Sequence, residues 1–226
     1  MARAQVFLGV HNRRKRRCNL QRDVLYYIAD PMCSWCWGFS PVLEAVSGVL
    51  PEEIPIRYVM GGLARDSAAP MPEETRTYVQ SQWRLVAERT GAEFNWDFWK
   101  DCEPRRSTYP ACRAVIAAGM QRPDGIGAMF HAIQRAYYLE ARNPSDAETL
   151  VQLAGELNMD TQRFSDDLVS ARTDELLQED FALRRSLHAD KFPTMILEHD
   201  DNQFWLAYGY EEEDLVVDLL TSSLLS

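Results

Sequence analysis

The sequence predicts an α/β fold with a large α-helical insertion, and three stretches of the chain indicate it. Residues 24–60 hold, in order, an apolar strand, an amphipathic helix and a second strand. Residues 73–188 show helical periodicity, and residues 192–224 hold two more apolar runs and a final helix. Because the two β-containing ends need each other to make one sheet, we expect the helical middle to be an insertion.

The first strand, helix and strand follow from their apolar patterns. Residues 24–29 are apolar up to an Asp-Pro pair, which is typical of a strand and its end. Residues 38–50 place their apolar side chains on one face of a period of about 3.6 residues, and Pro51 ends that helix. With a second strand at residues 54–60, the unit is a βαβ motif, which predicts parallel strands and a right-handed crossover.

The middle of the chain is predicted to be helical. Amphipathic or partly amphipathic segments occur over residues 73–90, 126–140, 145–157, 164–168 and 173–188. Gly91 follows the first of these and is a natural C-cap. Ser145, with Glu148 three residues later, has the pattern of a capping box and predicts the start of the third.

The end of the chain returns to β-structure. The apolar runs 192–197 and 204–208 flank six polar residues, which predicts an antiparallel hairpin before a last amphipathic helix. The expected divisions are a basic arm over residues 1–23, a sheet-containing domain over 24–61 and 189–226, and an inserted helical domain over 62–188.

Charge also separates the arm from the rest. The net charge is −10, from 24 basic and 34 acidic residues, yet residues 1–22 contain seven Lys and Arg residues and no acid. The acidic body is a poor candidate for binding nucleic acid or an anionic membrane, because phosphate contacts need clustered cations. The basic run Arg13–Arg17 is typical either of a nuclear-localisation or polyanion-binding patch or of a disordered, solvated tail.

The sequence shows no sign of export or membrane insertion. No apolar run reaches the roughly 18 residues that a transmembrane helix needs. The basic run follows the short apolar patch at residues 6–10, which is the reverse of the order in a secretory signal. Five cysteines, an odd number, argue against a disulfide framework. We therefore expect a cytoplasmic protein with no membrane partner.

The most informative segment is the motif Cys33-Ser34-Trp35-Cys36, which lies between the first strand and the first helix. A C-x-x-C pair at that place in a βαβ unit is typical of thiol–disulfide exchange. The helix N-terminus favours a thiolate on Cys33, because its free N–H groups carry partial positive charge. We expect Cys33 to be an exposed nucleophile with a low pKa, and Cys36 to be the buried resolving thiol.

A zinc site is the alternative use of this cysteine pair. The other cysteines considered, Cys102 and Cys112, lack the spacing of about two to four residues seen in common zinc ligand pairs. The four histidines show no paired spacing either. We therefore expect no metal and no resident cofactor, and we expect the partners to be thiols or disulfides of proteins or small molecules.

With this motif, the helical insertion and Phe192-Pro193-Thr194 at a late strand, the chain resembles the DsbA family of thioredoxin-fold oxidoreductases. It is most similar to the cytosolic FrnE-like branch, described as predicted protein-disulfide isomerases. The resemblance implies a thioredoxin-like fold, disulfide exchange and a cis-proline at Pro193 that faces the cysteines and leaves the backbone of Phe192 free to pair with substrate. The substrate-binding residues that we expect are Ser34, Trp35, Phe192, Pro193 and Thr194.

The same resemblance leaves alternatives open. The kappa-type glutathione transferases and hydroxychromene-carboxylate isomerases have serine where Cys33 stands, and they bind glutathione. Since this chain keeps both cysteines, disulfide exchange is favoured, with glutathione as a candidate recycling thiol. FrnE-type proteins can carry a second cysteine pair, for which Cys102 and Cys112 are candidates, although Cys112 also fits a small buried hydrophobe. A redox-sensing or chaperone-like binding module is the non-enzymatic alternative.

Overall fold

The computed structural model describes residues 23–225, so the basic run and Cys18 lie outside it. The strands are β1 (Val24–Ala29), β2 (Ile56–Met60), β3 (Thr194–His199) and β4 (Asn202–Tyr208). The helices are α1 (Ser34–Gly38), α2 (Ser40–Val49), α3 (Glu73–Thr90), α4 (Phe98–Asp101), α5 (Tyr109–Gln121), α6 (Gly125–Tyr138), α7 (Ala147–Glu156), α8 (Thr161–Leu168), α9 (Ala171–Ser186) and α10 (Glu213–Leu224).

The four strands form one mixed sheet in the order β2-β1-β3-β4. β1 pairs in parallel with β2, which confirms the βαβ prediction. β3 pairs antiparallel with both β1 and β4, which confirms the C-terminal hairpin. The two ends of the chain therefore share one sheet, and helices α3 to α9 lie between β2 and β3 in the chain.

Both faces of the sheet are covered. On β1, Leu25 and Tyr27 belong to the large core shared with the helices, whereas Tyr26 and Ile28 belong to a smaller core on the opposite face. Successive side chains of a strand point to opposite faces, so a continuous apolar run predicts a strand buried on both sides. β1 is such a strand, and the buried cysteine motif follows its carboxyl end.

The first helix differs from the expectation of a single helix over residues 38–50. Helix α1 begins at Ser34, inside the cysteine motif, and the chain turns at Phe39 before α2 begins. Pro41 lies in the first turn of α2 and explains the break. A proline has no N–H to donate to the carbonyl four residues earlier, and its ring collides with that carbonyl, so the helix cannot run straight through.

Caps show where local signals hold and where they fail. Gly91 ends α3 with φ of 74°, in the left-handed region, as expected for a C-cap glycine. The predicted capping box at Ser145 is wrong, because Asp146 is the residue that precedes α7. The Ser145 hydroxyl instead donates to the Ser107 carbonyl at 2.8 Å, a contact across the chain that a local pattern does not reveal.

The sequence patterns miss α4 and α5. α4 has four residues, too few for a periodic pattern, and the buried face of α5 is largely alanine, which gives little contrast in hydropathy. In α10 the apolar face is narrower than expected, since Val216 and Leu220 are buried whereas Leu215 and Leu219 are exposed. Among the described helices, none is long and apolar enough to cross a lipid bilayer.

Candidate active site

Cys33 lies at the junction between β1 and α1. It is the residue that precedes the first turn of α1, and its N–H donates to the Asp30 carbonyl at 3.0 Å, which closes the turn after the strand. Cys36 lies within α1 and is completely buried. Neither forms a disulfide in the structure.

The expectation of an exposed Cys33 is wrong in its simple form. Cys33 is only 7% exposed, and it is reached through a cavity of about 590 Å³ whose wall it forms. Its Sγ lies 4.0 Å from the carbonyl oxygen of Phe192, which reaches the site from the opposite end of the sequence. Cys33 is therefore accessible to a ligand that enters the cavity, while little of its surface is exposed to bulk water.

The two thiols have opposite acidities. A hydrogen bond from the Cys36 thiol is the largest cause that lowers the pKa of Cys33, and the N–H groups of Cys36 and Trp35 add to it against the effect of burial. Burial raises the pKa of Cys36 well above its usual range, and the neighbouring Cys33 raises it further. Cys33 is therefore the thiol that ionises first, as the motif predicts.

The Phe192–Pro193 peptide bond is cis, as the resemblance implies. Phe192 lines the cavity, whereas Pro193 is buried beside it and accepts a hydrogen bond from Gly209 N–H at 2.8 Å. Thr194 is also fully buried, and its hydroxyl donates to the Lys191 carbonyl rather than pointing into the cavity. Of the expected substrate-binding residues, Ser34, Trp35 and Phe192 line the cavity, and Pro193 and Thr194 do not.

Trp35 forms one wall of the cavity. Its ring packs against Tyr210 with centroids 5.7 Å apart, and its Nε1 donates to Gln82 at 3.2 Å. The other walls come from the apolar side chains of α3 and from the segment before β3. Three exposed apolar side chains, Leu63, Tyr78 and Leu85, lie among the lining residues.

Three cations line the same cavity, although the described part of the chain is acidic overall. Arg89 is paired with Glu212, and the Lys191 Nζ lies 4.6 Å from the centre of the Tyr208 ring. Arg106 makes no hydrogen bond or ion pair with any residue between 23 and 225. Arg106 was not among the residues expected from the sequence, and no motif around it would have indicated this position.

The remaining cysteines do not form a second pair. The Cys102 Sγ contacts the Ala141 carbonyl at 3.1 Å, whereas the Cys112 Sγ lies 3.6 Å from Oδ2 of Asp30. All four cysteines in the described range are free. The structure therefore does not show the candidate Cys102–Cys112 pair, and the complete burial of Cys112 agrees with the alternative of a small buried hydrophobe. No group of three or more metal-ligating side chains occurs in the same range.

Comparison with known proteins identifies the family. A family model described as thioredoxin matches residues 26–217. The chain belongs to the thioredoxin family. This thioredoxin-family chain is similar to a candidate protein disulfide isomerase from Nitrosomonas europaea, with 28% identity, a TM-score of 0.81, and coverage of 91% of this chain and 98% of that one.

Two further proteins are similar to this chain. The cytosolic disulfide reductase DsbM from Pseudomonas aeruginosa has 28% identity, a TM-score of 0.75, and coverage of 90% of this chain and 100% of that one. A second structure of DsbM holds GSH. The ClpXP adapter protein SpxH from Halalkalibacterium halodurans is 24% identical over 183 residues, which make up 78% of this chain. The match covers only 59% of the length of that relative. The structural matches confirm the predicted DsbA-like fold.

Proposed function

We propose that this protein is a thiol–disulfide oxidoreductase that reduces disulfides, with Cys33 as the nucleophile and Cys36 as the resolving thiol. One observation carries the proposal. Cys33 opens into a cavity with its pKa lowered, while Cys36 lies behind it with its pKa raised. That arrangement suits a dithiol in which one sulfur attacks the substrate disulfide and the other then resolves the mixed disulfide.

The reaction follows from this geometry. The Cys33 thiolate attacks one sulfur of a substrate disulfide, which forms a mixed disulfide and releases the first substrate thiolate to take up a proton. Cys36 then loses its proton and attacks Cys33, which releases the second substrate thiolate and leaves a Cys33–Cys36 disulfide. The Phe192 carbonyl, 4.0 Å from the Cys33 sulfur, lies where it can accept a hydrogen bond from substrate backbone.

Two thiols must restore the dithiol, and we propose glutathione for this role. Two glutathione molecules reduce the Cys33–Cys36 disulfide and leave as one glutathione disulfide. Glutathione carries carboxylates, and Arg106 and Lys191 offer cations in the cavity of an otherwise acidic body. The similar reductase DsbM has been solved with GSH, which supports the same choice of thiol. A cytoplasmic setting belongs to the proposal, as for that cytosolic relative.

Cysteine variants test the mechanism. The assay is the reduction of a peptide disulfide by glutathione, followed through the release of free peptide thiol. We expect Cys33→Ser to fall to the uncatalysed rate, because the attacking sulfur is lost. We expect Cys36→Ser to accumulate a mixed disulfide on Cys33, which intact-protein mass spectrometry detects.

Cys102→Ser is the matched control, since Cys102 is a half-buried thiol that contacts the Ala141 carbonyl and is not among the residues that line the cavity. It should keep the wild-type rate. Turnover that survives in Cys33→Ser would reject the mechanism and favour the glutathione-dependent isomerase or transferase alternative. Reactivation of a scrambled disulfide protein, measured alongside, reports whether the protein also acts as an isomerase.

A second candidate function is that of an adapter, favoured by the similarity to curated proteins named ClpXP adapter protein SpxH. An adapter acts through a binding surface, so its cysteines need not react. This function predicts that Cys33→Ser/Cys36→Ser binds ClpXP as tightly as the wild type. Failure of the wild type to bind ClpXP in a pull-down with purified components would exclude it.

A further inference from the structure

The side chain of Phe192 extends from the cavity into the fold, where its ring is closely surrounded. Phe192 packs against both hydrophobic cores, the one shared with the helices and the one on the opposite face of the sheet. The tip of its ring points at Gly61, the residue that follows β2. A Cβ at Gly61 would lie 2.6 to 2.9 Å from the three outermost ring carbons, closer than Cβ atoms come to other atoms in proteins. The ring therefore occupies the space that a side chain at position 61 would fill.

Gly61 is itself held in place. It is buried, and its N–H donates to the Ala29 carbonyl at 2.7 Å, which joins it to the end of β1. The next residue is also a glycine, Gly62, with φ of 64°, and a Cβ there would lie 2.3 Å from the ring of Phe181. Because the backbone at position 61 is fixed, a side chain added there would have to displace the Phe192 ring.

Arg184 covers the face of the same ring. Its guanidinium carbon lies 5.5 Å from the centre of the Phe192 ring, within the range of a cation–π contact. Its Nε is buried and has no hydrogen-bond partner between residues 23 and 225. Arg184 lies in the last turn of α9, and its carbonyl accepts from Ala189 N–H at 3.1 Å, at the start of the segment that leads to Phe192. The ring is thus restrained at its tip by Gly61 and on its face by Arg184.

The restrained ring limits where the Phe192 backbone can lie. A phenylalanine side chain has two rotatable bonds with few preferred rotamers, so a ring that is displaced along its own axis pushes on its backbone. The carbonyl of that backbone lies 4.0 Å from the Cys33 Sγ. A hydrogen bond between backbone groups is lost when donor and acceptor move apart by about 1 Å. The position of this acceptor beside the thiol therefore depends on the ring.

Resting on the proposed function, we propose that Gly61 and Arg184 are positioning residues for substrates with a peptide backbone. They hold the Phe192 ring, and the ring holds the carbonyl that accepts a substrate N–H beside the disulfide. A disulfide without a backbone N–H makes no use of this carbonyl. The two residues therefore act on one class of substrate and leave the chemistry of the thiols unchanged.

Gly61→Ala tests the proposal with two substrates, a capped peptide disulfide and hydroxyethyl disulfide, each reduced by glutathione. We expect KM for the peptide disulfide to rise by about three- to tenfold with little change in kcat, because one hydrogen bond to the substrate is lost. Both constants for hydroxyethyl disulfide should stay at their wild-type values. Arg184→Met removes the charge and keeps a long side chain, so it should raise the same KM by less, and it serves if Gly61→Ala does not fold.

A shorter side chain at position 192 shows whether the ring carries the effect. Phe192→Leu lacks the outer ring carbons, so adding Gly61→Ala to it should raise KM for the peptide disulfide no further. Gly48→Ala is the matched control, since no atom lies within 4 Å of a Cβ built at Gly48. It should keep the wild-type constants for both substrates.

An unchanged KM for the peptide disulfide in folded Gly61→Ala or Arg184→Met would overturn the inference. An equal loss of activity with both substrates, or a further rise in KM when Gly61→Ala is added to Phe192→Leu, would overturn it as well. In these outcomes the wild type is active and the proposed function stands. A wild type that reduces neither substrate would instead overturn the proposed function, and the inference with it.

Discussion

Two cavities of similar size in the described structure differ in the polar groups that line them. One, of about 590 Å³, is formed by α1, α3 and the segment before β3, and the other, of about 460 Å³, by β2, α5, α6 and α9. Both volumes fall within the range of small-molecule sites, so size does not distinguish them. The distinction lies in the polar groups.

The first cavity is lined by Cys33 and by Arg106, which makes no ion pair with any described residue. The second is lined by Asp180, whose Oδ2 accepts a hydrogen bond from Met60 N–H. Met60 belongs to β2, which is an edge strand of the sheet. A side chain on that edge blocks pairing with another strand, which is a structural task. The first cavity thus differs from the second in holding a thiol whose hydrogen bonds favour its charged form.

The largest expected effect concerns the wall of the first cavity. Trp83 is fully buried and its ring lies 5.0 Å from both Phe94 and Trp99. Trp83→Ala should lower the free energy of unfolding by about 3–5 kcal/mol, because it leaves a void among aromatic rings. Urea denaturation measures this loss. Trp96→Ala, at a ring that is 36% exposed, should cost much less, and equal losses would contradict the packing argument.

The next expected effect is a dependence of the unfolding free energy on pH, caused by Asp180 in the second cavity. Burial raises the pKa of Asp180 to about 6 from its ordinary value of 3.8. The folded state thus holds a proton that the unfolded state releases, so this stabilisation is complete below about pH 4 and is lost as the pH rises through about 6. Asp180→Asn should therefore gain about 1–3 kcal/mol relative to the wild type between those limits. A difference in unfolding free energy that does not vary with pH would contradict this.

The smallest effect concerns the cations. In the reduction of hydroxyethyl disulfide by glutathione, Arg106→Gln should raise KM for glutathione by about tenfold with little change in kcat, because a charged hydrogen bond to a carboxylate is lost. The neutral substrate hydroxyethyl disulfide should show no such change. Arg57→Gln, at a cation of the second cavity, is the matched control and should leave both constants unchanged. An equal rise in KM for both substrates would argue against an anion-binding role for Arg106.

Local features of the sequence predict much of the candidate site. The spacing of Cys33 and Cys36, after an apolar strand and before a helix, predicts that Cys33 ionises first, and the hydrogen bonds to Cys33 lower its pKa in the same direction. Predictions from spacing alone failed where the residue makes its contacts with distant parts of the chain. Ser145 fits a capping box by spacing alone, yet its hydroxyl is taken by Ser107, and Cys102 and Cys112 have separate partners.

The sequence by itself determined the strands and helices that frame the motif, because strand alternation, helical periodicity and a C-x-x-C pair all act within a few residues. Only the tertiary structure decided what surrounds Cys33. Phe192 is 159 residues away in the chain from Cys33, and Thr108, whose hydroxyl donates to Asp30, is 78 residues away from that aspartate. Such contacts depend on how the sheet and the helices between β2 and β3 pack, since burial and hydrogen bonding across the fold select them.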